Sequence, residues 1–428
     1  MDRSTSTKTV AVMASLEESL RAIVGPQHLR VALEADAVAG VQPGIVVEPA
    51  TQEELASVLR LSNDAGLSVI PRGGGTKLGG GNPPARAYLI LSTSRLNKII
   101  EHVWADLTVS VETGCTVQHL QDALAQHGQR LALDALWPAR STVGGVLSAN
   151  DSGALRLRFG ALRELIIGVT LALSDGALAS SGGKVVKNVA GYDLQKLATG
   201  ALGTLGIITR AVFRVHPLPR ISRTFSVSTQ SFEQSQDVLN AVQDSTLAHT
   251  ALQVRAAADS LPRVDVLFEG TDVGLGAQEA QLRKLLAPQT LANSPSAVWN
   301  SRQDLWNGSD STVIAKCSVL PADIAQTLNT IQRLGTQHRT RWQAVVEAFG
   351  IGWLRLDGSP ENLISALQEL RAQLESKSGS LILLHRPSAL PPFDAWGNVG
   401  DALPLMRAVK QQLDPKSTLN PGRFVGGI

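Results

Sequence analysis

Glycine is spread unevenly along this chain, and that unevenness constrains the fold more than any other feature. There are 38 glycines, many of them in three clusters between residues 73 and 206. The first cluster, PRGGGTKLGGGNPP from Pro71 to Pro84, follows an apolar run, Leu67 to Ile70, that reads as a short buried strand. A Walker A loop does not fit. Lys77 is preceded by Thr76 and followed by Leu78, where Gly and Ser or Thr are required. A Rossmann fingerprint does not fit either, because Asn82, Pro83 and Pro84 stand where its third glycine must open a helix. Two readings remain: a flexible hairpin loop, or a nest that turns successive backbone N–H groups toward one anion, with Arg72 beside it.

The second cluster is TVGGVLSANDSG, from Thr142 to Gly153, and the third runs from Gly182 to Arg210, where Gly200, Gly203 and Gly206 lead into a β-branched strand. Three loops without a shared spacing rule suit one long ligand touched at several points, such as a dinucleotide. Charge adds an exclusion. With 39 basic and 37 acidic residues the chain has no electrostatic footprint for nucleic acid or an anionic membrane. Cys115 and Cys317 stand far apart without Cys or His neighbours, so an iron–sulfur cluster, a zinc ribbon or a disulfide framework within this chain is not expected. No metal site is expected, and no stretch approaches the ~20 apolar residues of a membrane span. A cytoplasmic location follows as the expectation, with any membrane association made through partner subunits.

At 428 residues the chain has room for two or three folding units. Thr51 to Ala65 reads as a helix with a Thr51/Glu54 capping box and a Gly66 stop. Strands are expected at Tyr88 to Leu91, Leu107 to Glu112, Ile166 to Leu173 and Ile207 to Val215, with a helix near Val117 to Ala125. HPLPR, at 216–220, ends the last strand and marks a domain boundary. From Thr312 the order reads βαββαβ, with Leu363, Leu367, Leu370 and Leu374 as one helical stripe. Two more strands, Ala251 to Arg255 and Val264 to Phe268, and a helix near Gln278 to Leu286 precede it. No internal repeat is evident. The expected division is a lead-in at 1–40, a ligand-holding domain at 41–219, an α+β cap at 220–400 and a returning tail at 401–428.

Pro71 to Thr76, Thr142 to Gly145, Lys187 to Leu194, Gly203 to Thr209 and the terminal Leu419 to Gly422 together resemble the FAD-binding oxidoreductases of the vanillyl-alcohol oxidase, or PCMH, type. GGKVVKNVAGYDLQKL resembles, within that superfamily, the FAD-binding E subunit of bacterial glycolate oxidase. The resemblance implies an α+β fold: a two-subdomain PCMH-type FAD-binding domain followed by a ferredoxin-like cap. It implies that Pro71, Arg72, Gly73, Gly74, Gly75 and Thr76 hold the FAD pyrophosphate. Pro138, Thr142, Val143, Gly144, Gly145, Ser148 and Gly153 would follow the pyrophosphate and ribityl chain. Gly206, Ile207 and Ile208 would flank the adenine half, and Asn420 would close the site from the tail. Lys187 and Asn188 suit cofactor or loop contacts.

Three departures refine this. Thr76 stands where the covalently flavinylated branch has His, and the second cluster has no Cys, so non-covalent FAD is expected. Leu202 replaces a frequent Glu. The paired histidines of the metal-dependent 2-hydroxyacid dehydrogenases are missing: His385 stands by itself and WGNVGD, Trp396 to Asp401, holds no ligand histidine. The implied activity is oxidation of a small 2-hydroxy acid, with electrons passed to a sister FAD subunit and an iron–sulfur subunit. Such chemistry needs a carboxylate clamp and a base. Arg386 and Arg302 are candidates for the first, because guanidinium pairs carboxylate bidentately, and His385 for the second. Trp299, Trp306 and Trp353 read mainly as core. Two alternatives stay open: an FAD-binding accessory subunit without its own substrate site, and a nucleotide-binding regulatory module.

Overall fold

The computed structural model describes residues 3–183, 191–309 and 311–428, with side chains from residue 14 onward. A helix, Arg3–Val24, buries Leu20 and Val24 against Leu55, Val58 and Leu59 of the helix Gln52–Asp64. That second helix starts as its sequence dictates. Thr51 accepts the Glu54 N–H, Glu54 accepts the Ala50 N–H at 2.7 Å, and Gly66 takes the left-handed turn at its end. It is the crossover of a four-stranded sheet whose order is Leu29–Val31, Ile45–Val47, Leu89–Ser92, Val69–Arg72, antiparallel in the first pair and parallel thereafter. Leu29–Val31 and Asp36, expected in the lead-in, are therefore part of this unit. Asp36 holds Arg30 at 2.6 Å and Arg72 at 2.5 Å, which seats Arg72 at the mouth of the first glycine loop.

The second sheet is antiparallel, in the order Ile99–Val103, Thr108–Glu112, Ile207–Arg214, Ile166–Ala172, Leu178–Gly182. Ala172 and Ile207 are buried in the core of the first sheet, so the two sheets form one unit with a groove between them. The prolines after Val215 do not abolish pairing at once: His216–Pro217 forms a two-residue ladder with Gln129–Arg130. Lys187 and Asn188 lie outside the described residues.

The cap departs from expectation. Its sheet has eight antiparallel strands, and βαββαβ occurs twice. The first copy is Ile221–Ser228, helix Phe232–Gln243, His249–Ala257, Ser260–Gly270, helix Asp272–Leu285 and Leu291–Ser294. The second is Thr312–Ser318, helix Ile324–Gln337, Arg341–Glu347, Ile351–Asp357, helix Pro360–Glu375 and Ser380–His385. Each copy has its strands in the order fourth, first, third, second, and the two second strands pair antiparallel, as at Val254↔Val346. An internal repeat is thus present in structure without being visible in sequence. All four helices bury one face, including Leu363, Leu367, Leu370 and Leu374 as expected, and alternation places Val313, Ala315 and Cys317 beneath them. The opposite sheet face, with Ile314, Lys316 and Trp353, is left for the first unit to cover.

The tail returns as expected. After the helix Leu403–Leu413, Leu419 bridges Val69, and the buried Lys410 ammonium binds Asp414 at 2.5 Å, Thr204 O at 2.8 Å and Leu419 O at 2.9 Å. That one cation pins the tail to the turn before Ile207.

Candidate functional site

The three glycine loops and the tail converge on one groove of about 710 Å³ between the two sheets. Pro71, Arg72, Gly73, Gly74, Gly75, Thr76, Thr142, Gly144, Gly145, Ser148, Ile207, Ile208 and Asn420 line it, joined by Lys77, Leu202 and Arg423. Four of the residues expected there do not border it. Val143 is buried in the core, and Gly206 faces Ala172 and Leu173. The Pro138 carbonyl accepts from Gln118, and the Gly153 N–H donates to Asp134.

The first loop interlocks with the second. A Cβ at Gly73 would overlap Thr142 Oγ1, and one at Gly74 would overlap the Arg140 carbonyl oxygen, so only glycine lets these backbones approach. The N–H groups of Gly73, Gly74, Gly75, Thr76 and Lys77 find no acceptor among the described residues. Five consecutive unpaired amides beside two cations are an anion site in search of an anion. The second cluster works differently. Thr142 caps the short helix Val143–Ala149, and the amides of Val143, Gly144 and Gly145 are already bonded to Cys115 O, Thr113 O and Thr142 Oγ1. Its glycines supply a floor without side chains, not donors. Two more polar atoms on the groove residues lack partners although buried: Asn420 Oδ1 and Arg423 Nε. Burial lowers the Arg423 pKa to about 10, helped by the nearby Arg386 charge. Unpaired amides, a lone amide oxygen and a cation fit a diphosphate joined to a hydrogen-bonding ring system, which is what a flavin dinucleotide offers.

At Lys77, Ala149 and Leu202 the groove adjoins a second cavity of about 1030 Å³ between the first unit and the open face of the cap sheet. One wall comes from the first unit: Leu136, Trp137, Asn150, Asp151, Ser152 and Gly200. The other comes from the cap: Trp306, Lys316, Trp353, Ile382 and Leu384. Trp137 and Trp306 meet edge to face across the interface, 4.9 Å between centroids.

A buried charge cluster braces this junction. Asp151 accepts from Lys77 at 3.0 Å, Arg302 at 2.7 Å and the Leu136 N–H at 3.0 Å. Burial alone would raise its pKa; the Arg302 and Lys77 charges reverse that and hold it at about 2. Arg302 is fully engaged, donating also to Ser152 O and Asp134 O and lying 4.8 Å over the Trp353 ring. It does not border the cavity. Neither does Arg386, whose guanidinium holds Phe393 O at 2.8 Å and Gly81 O at 3.0 Å. Both arginines expected as clamps are thus fastened to protein groups. His385 is half-buried, 6.0 Å from the Trp306 ring, and burial lowers its pKa. Trp299 donates to Thr224 and lies away from the cavity, whereas Trp306 and Trp353 line it.

Lys316 is the cation that sequence reasoning missed. Its ammonium makes no hydrogen bond among the described residues, and burial depresses its pKa despite Asp151 nearby. Lys77 and Asp151 were missed as well. Only the alternation of apolar residues around Lys316 in TVIAKCS could have marked it: it falls on the opposite face from Val313, Ala315 and Cys317.

Residues 43–182 match the family described as an FAD binding domain. Glycolate oxidase subunit GlcD of Bacillus subtilis is 24% identical over 96% of this chain and 97% of its own length. D-lactate dehydrogenase of Archaeoglobus fulgidus is 34% identical over 46% of this chain and 44% of its own. Among solved structures, substrate-bound p-cresol methylhydroxylase superposes with a TM-score of 0.78 at 16% identity, covering 96% of each chain, and alkyldihydroxyacetonephosphate synthase with 0.76 at 18%, covering 96% and 86%. The likeness to these structures is one of fold.

Proposed function

We propose, for a chain that belongs to the PCMH-type FAD-binding oxidoreductases and acts on CH–OH groups, that it is the FAD-holding subunit of a glycolate-oxidase-like complex oxidising a 2-hydroxy acid. The observation that carries this reading is the adjacency of the two cavities: a groove with five unpaired amides shares Lys77, Ala149 and Leu202 with a chamber walled by both domains. FAD, when bound, would supply an acceptor for the C2 hydride of a 2-hydroxy acid, whose hydroxyl proton would pass to a base as the 2-oxo acid forms. The chain's own residues bind and orient. The amides of Gly73 to Lys77 would hold the diphosphate, with Arg72 fixed beside them by Asp36. Asn420 and Arg423 would meet the ring system from the tail. Arg302, through Asp151, fixes the Lys77 ammonium at the mouth between the cavities. His385 borders neither cavity but stands 6.0 Å from the Trp306 ring of the chamber wall, and burial disfavours its charged form; as our candidate proton acceptor it would act on the hydroxyl through an intervening water.

Neither cavity is lined by His or Cys among the described residues, which supports dissociable FAD. No helix of the described residues is long and apolar enough to cross a membrane. Electrons would pass to a sister flavin subunit and an iron–sulfur protein. The engagement of Arg302 and Arg386 by protein groups favours a second reading, an accessory FAD subunit without a substrate site. Anaerobic addition of 2-hydroxy acids to the FAD-loaded chain separates the two: loss of the band near 450 nm is expected, and an unchanged band that dithionite still bleaches would refute substrate oxidation by this chain.

A further inference from the structure

The cap wall of the second cavity carries an ordered row. In the cap sheet Lys316 stands directly opposite Trp353 on one side and Ile382 on the other, so indole, ammonium and isoleucine share one face across three adjacent strands. Leu384, two residues beyond Ile382, extends the apolar face, and Trp306 packs with it against the cluster that holds Trp353. On the facing side Lys77 is already paired with Asp151 and Arg163 donates to the Thr199 carbonyl, which leaves the Lys316 ammonium, in its apolar frame, to bind one carboxylate well and a second one poorly, because desolvating an unpaired charge is costly. The rest of that wall offers aromatic and branched aliphatic surface, which water covers unfavourably and an apolar substituent covers well.

We propose that this chain's substrate is a 2-hydroxy acid with a bulky apolar or aromatic side chain, its carboxylate on Lys316 and its side chain among Trp353, Trp306, Ile382 and Leu384. This rests on the substrate-oxidising reading above and narrows it: the two-carbon acid that gives the related oxidases their name would leave the tryptophan wall wet. Removing an aromatic substituent from such a pocket costs affinity by a factor of at least about ten.

The test is an anaerobic titration of the FAD-loaded chain with glycolate, D-lactate and both enantiomers of 3-phenyllactate, following flavin absorbance near 450 nm. One phenyllactate enantiomer should half-reduce the flavin at a concentration at least about tenfold below that for glycolate and D-lactate. Glycolate or D-lactate acting at equal or lower concentration would overturn the inference and leave the substrate-oxidising reading standing. No reduction by any of the acids, with dithionite still effective, would overturn both. Ile382→Trp, which fills the apolar end of the row, should raise the phenyllactate requirement at least about tenfold and change that for D-lactate less. Lys316→Met should weaken every acid while FAD binding, read by fluorescence quenching, stays as in the unaltered chain. A uniform loss in Ile382→Trp, or unchanged acid binding in Lys316→Met, would count against the assignment. The wild-type titration decides the matter even where a variant fails to fold.

Discussion

Gly74→Ala isolates the interlock between the first two glycine loops. Gly74 lies outside the left-handed region, so alanine meets no backbone strain there, yet its Cβ would overlap the carbonyl oxygen of Arg140. A carbonyl oxygen cannot rotate away as a side-chain tip can. The loop must move instead: the amides from Gly73 to Lys77 are bonded to nothing among the described residues, and what ties it down are side chains, Thr76 to Ser141 and Lys77 to Ser141 and Asp151, which can follow a small shift of the backbone. The unliganded protein therefore relaxes outward at little expense, and the cost of pulling the loop back is met when the diphosphate binds. Overpacking of this kind costs about 1–3 kcal/mol, which weakens FAD binding about 5- to 150-fold. The comparison variant is Gly75→Ala. Gly75 sits at φ +73° and a Cβ there would make only an ordinary contact, 3.9 Å to Arg72 Cδ, so alanine is strained by about 1–2 kcal/mol with FAD or without, and affinity changes little. FAD affinity measured by fluorescence quenching, with melting temperatures of the FAD-free proteins alongside, separates these cases. Wild-type affinity in Gly74→Ala, or equal losses in both variants, would refute the claim that close backbone approach shapes the diphosphate site.

Lys410→Met should lower stability by about 3–5 kcal/mol, because it leaves the buried Asp414 carboxylate without its cation and frees the tail, read as the urea midpoint. Asp151, held at about 2 in the folded chain, contributes stability that is present above the unfolded carboxylate pKa and lost as pH falls from about 5 toward 2; Asp151→Asn should flatten the acid limb of melting temperature against pH, and an unchanged limb would exclude it as a contributor. Glu347 behaves in the opposite sense. Complete burial, with Asp134 nearby, raises its pKa well above the ordinary value, so its contribution is present below about pH 4 and lost as pH rises through the folded pKa. Glu347→Gln should accordingly raise the melting temperature at pH 7 more than at pH 4.

What could be read from the sequence was local. Thr51 with Glu54, and Gly66 at the helix end, are signals within a few residues of what they specify, and that helix starts and stops as written. The glycine loops were legible as a ligand groove because adjacent glycines in three places have one economical physical use. The first copy of the cap repeat was legible only in part, in its two middle strands and second helix, and the rest was hidden for equally local reasons. Ile221–Ser228 buries only a short apolar alternation, Phe225 and Val227, directly after two prolines, and the helix Asp272–Leu285 begins with two glycines in its first turns, which masks its start. The charge cluster was out of reach. Asp151 sits in a polar turn, and its partners Lys77 and Arg302 lie 74 and 151 residues away in sequence; only the fold brings them together. The same holds for the clamp candidates. Arg302 and Arg386 have the right chemistry, and backbone carbonyls and Asp151 take it up, whereas Lys316 escapes notice in an apolar strand and lines the cavity.

The central claim is that unpaired backbone amides of the first glycine loop receive the diphosphate of FAD. A crystal structure of the FAD-loaded chain tests it directly. Diphosphate oxygens within about 3.2 Å of at least two of the amide nitrogens from Gly73 to Lys77, with the ring system reaching Lys77 and Leu202, is the predicted result. A diphosphate bound elsewhere, with those amides still facing water, would contradict it.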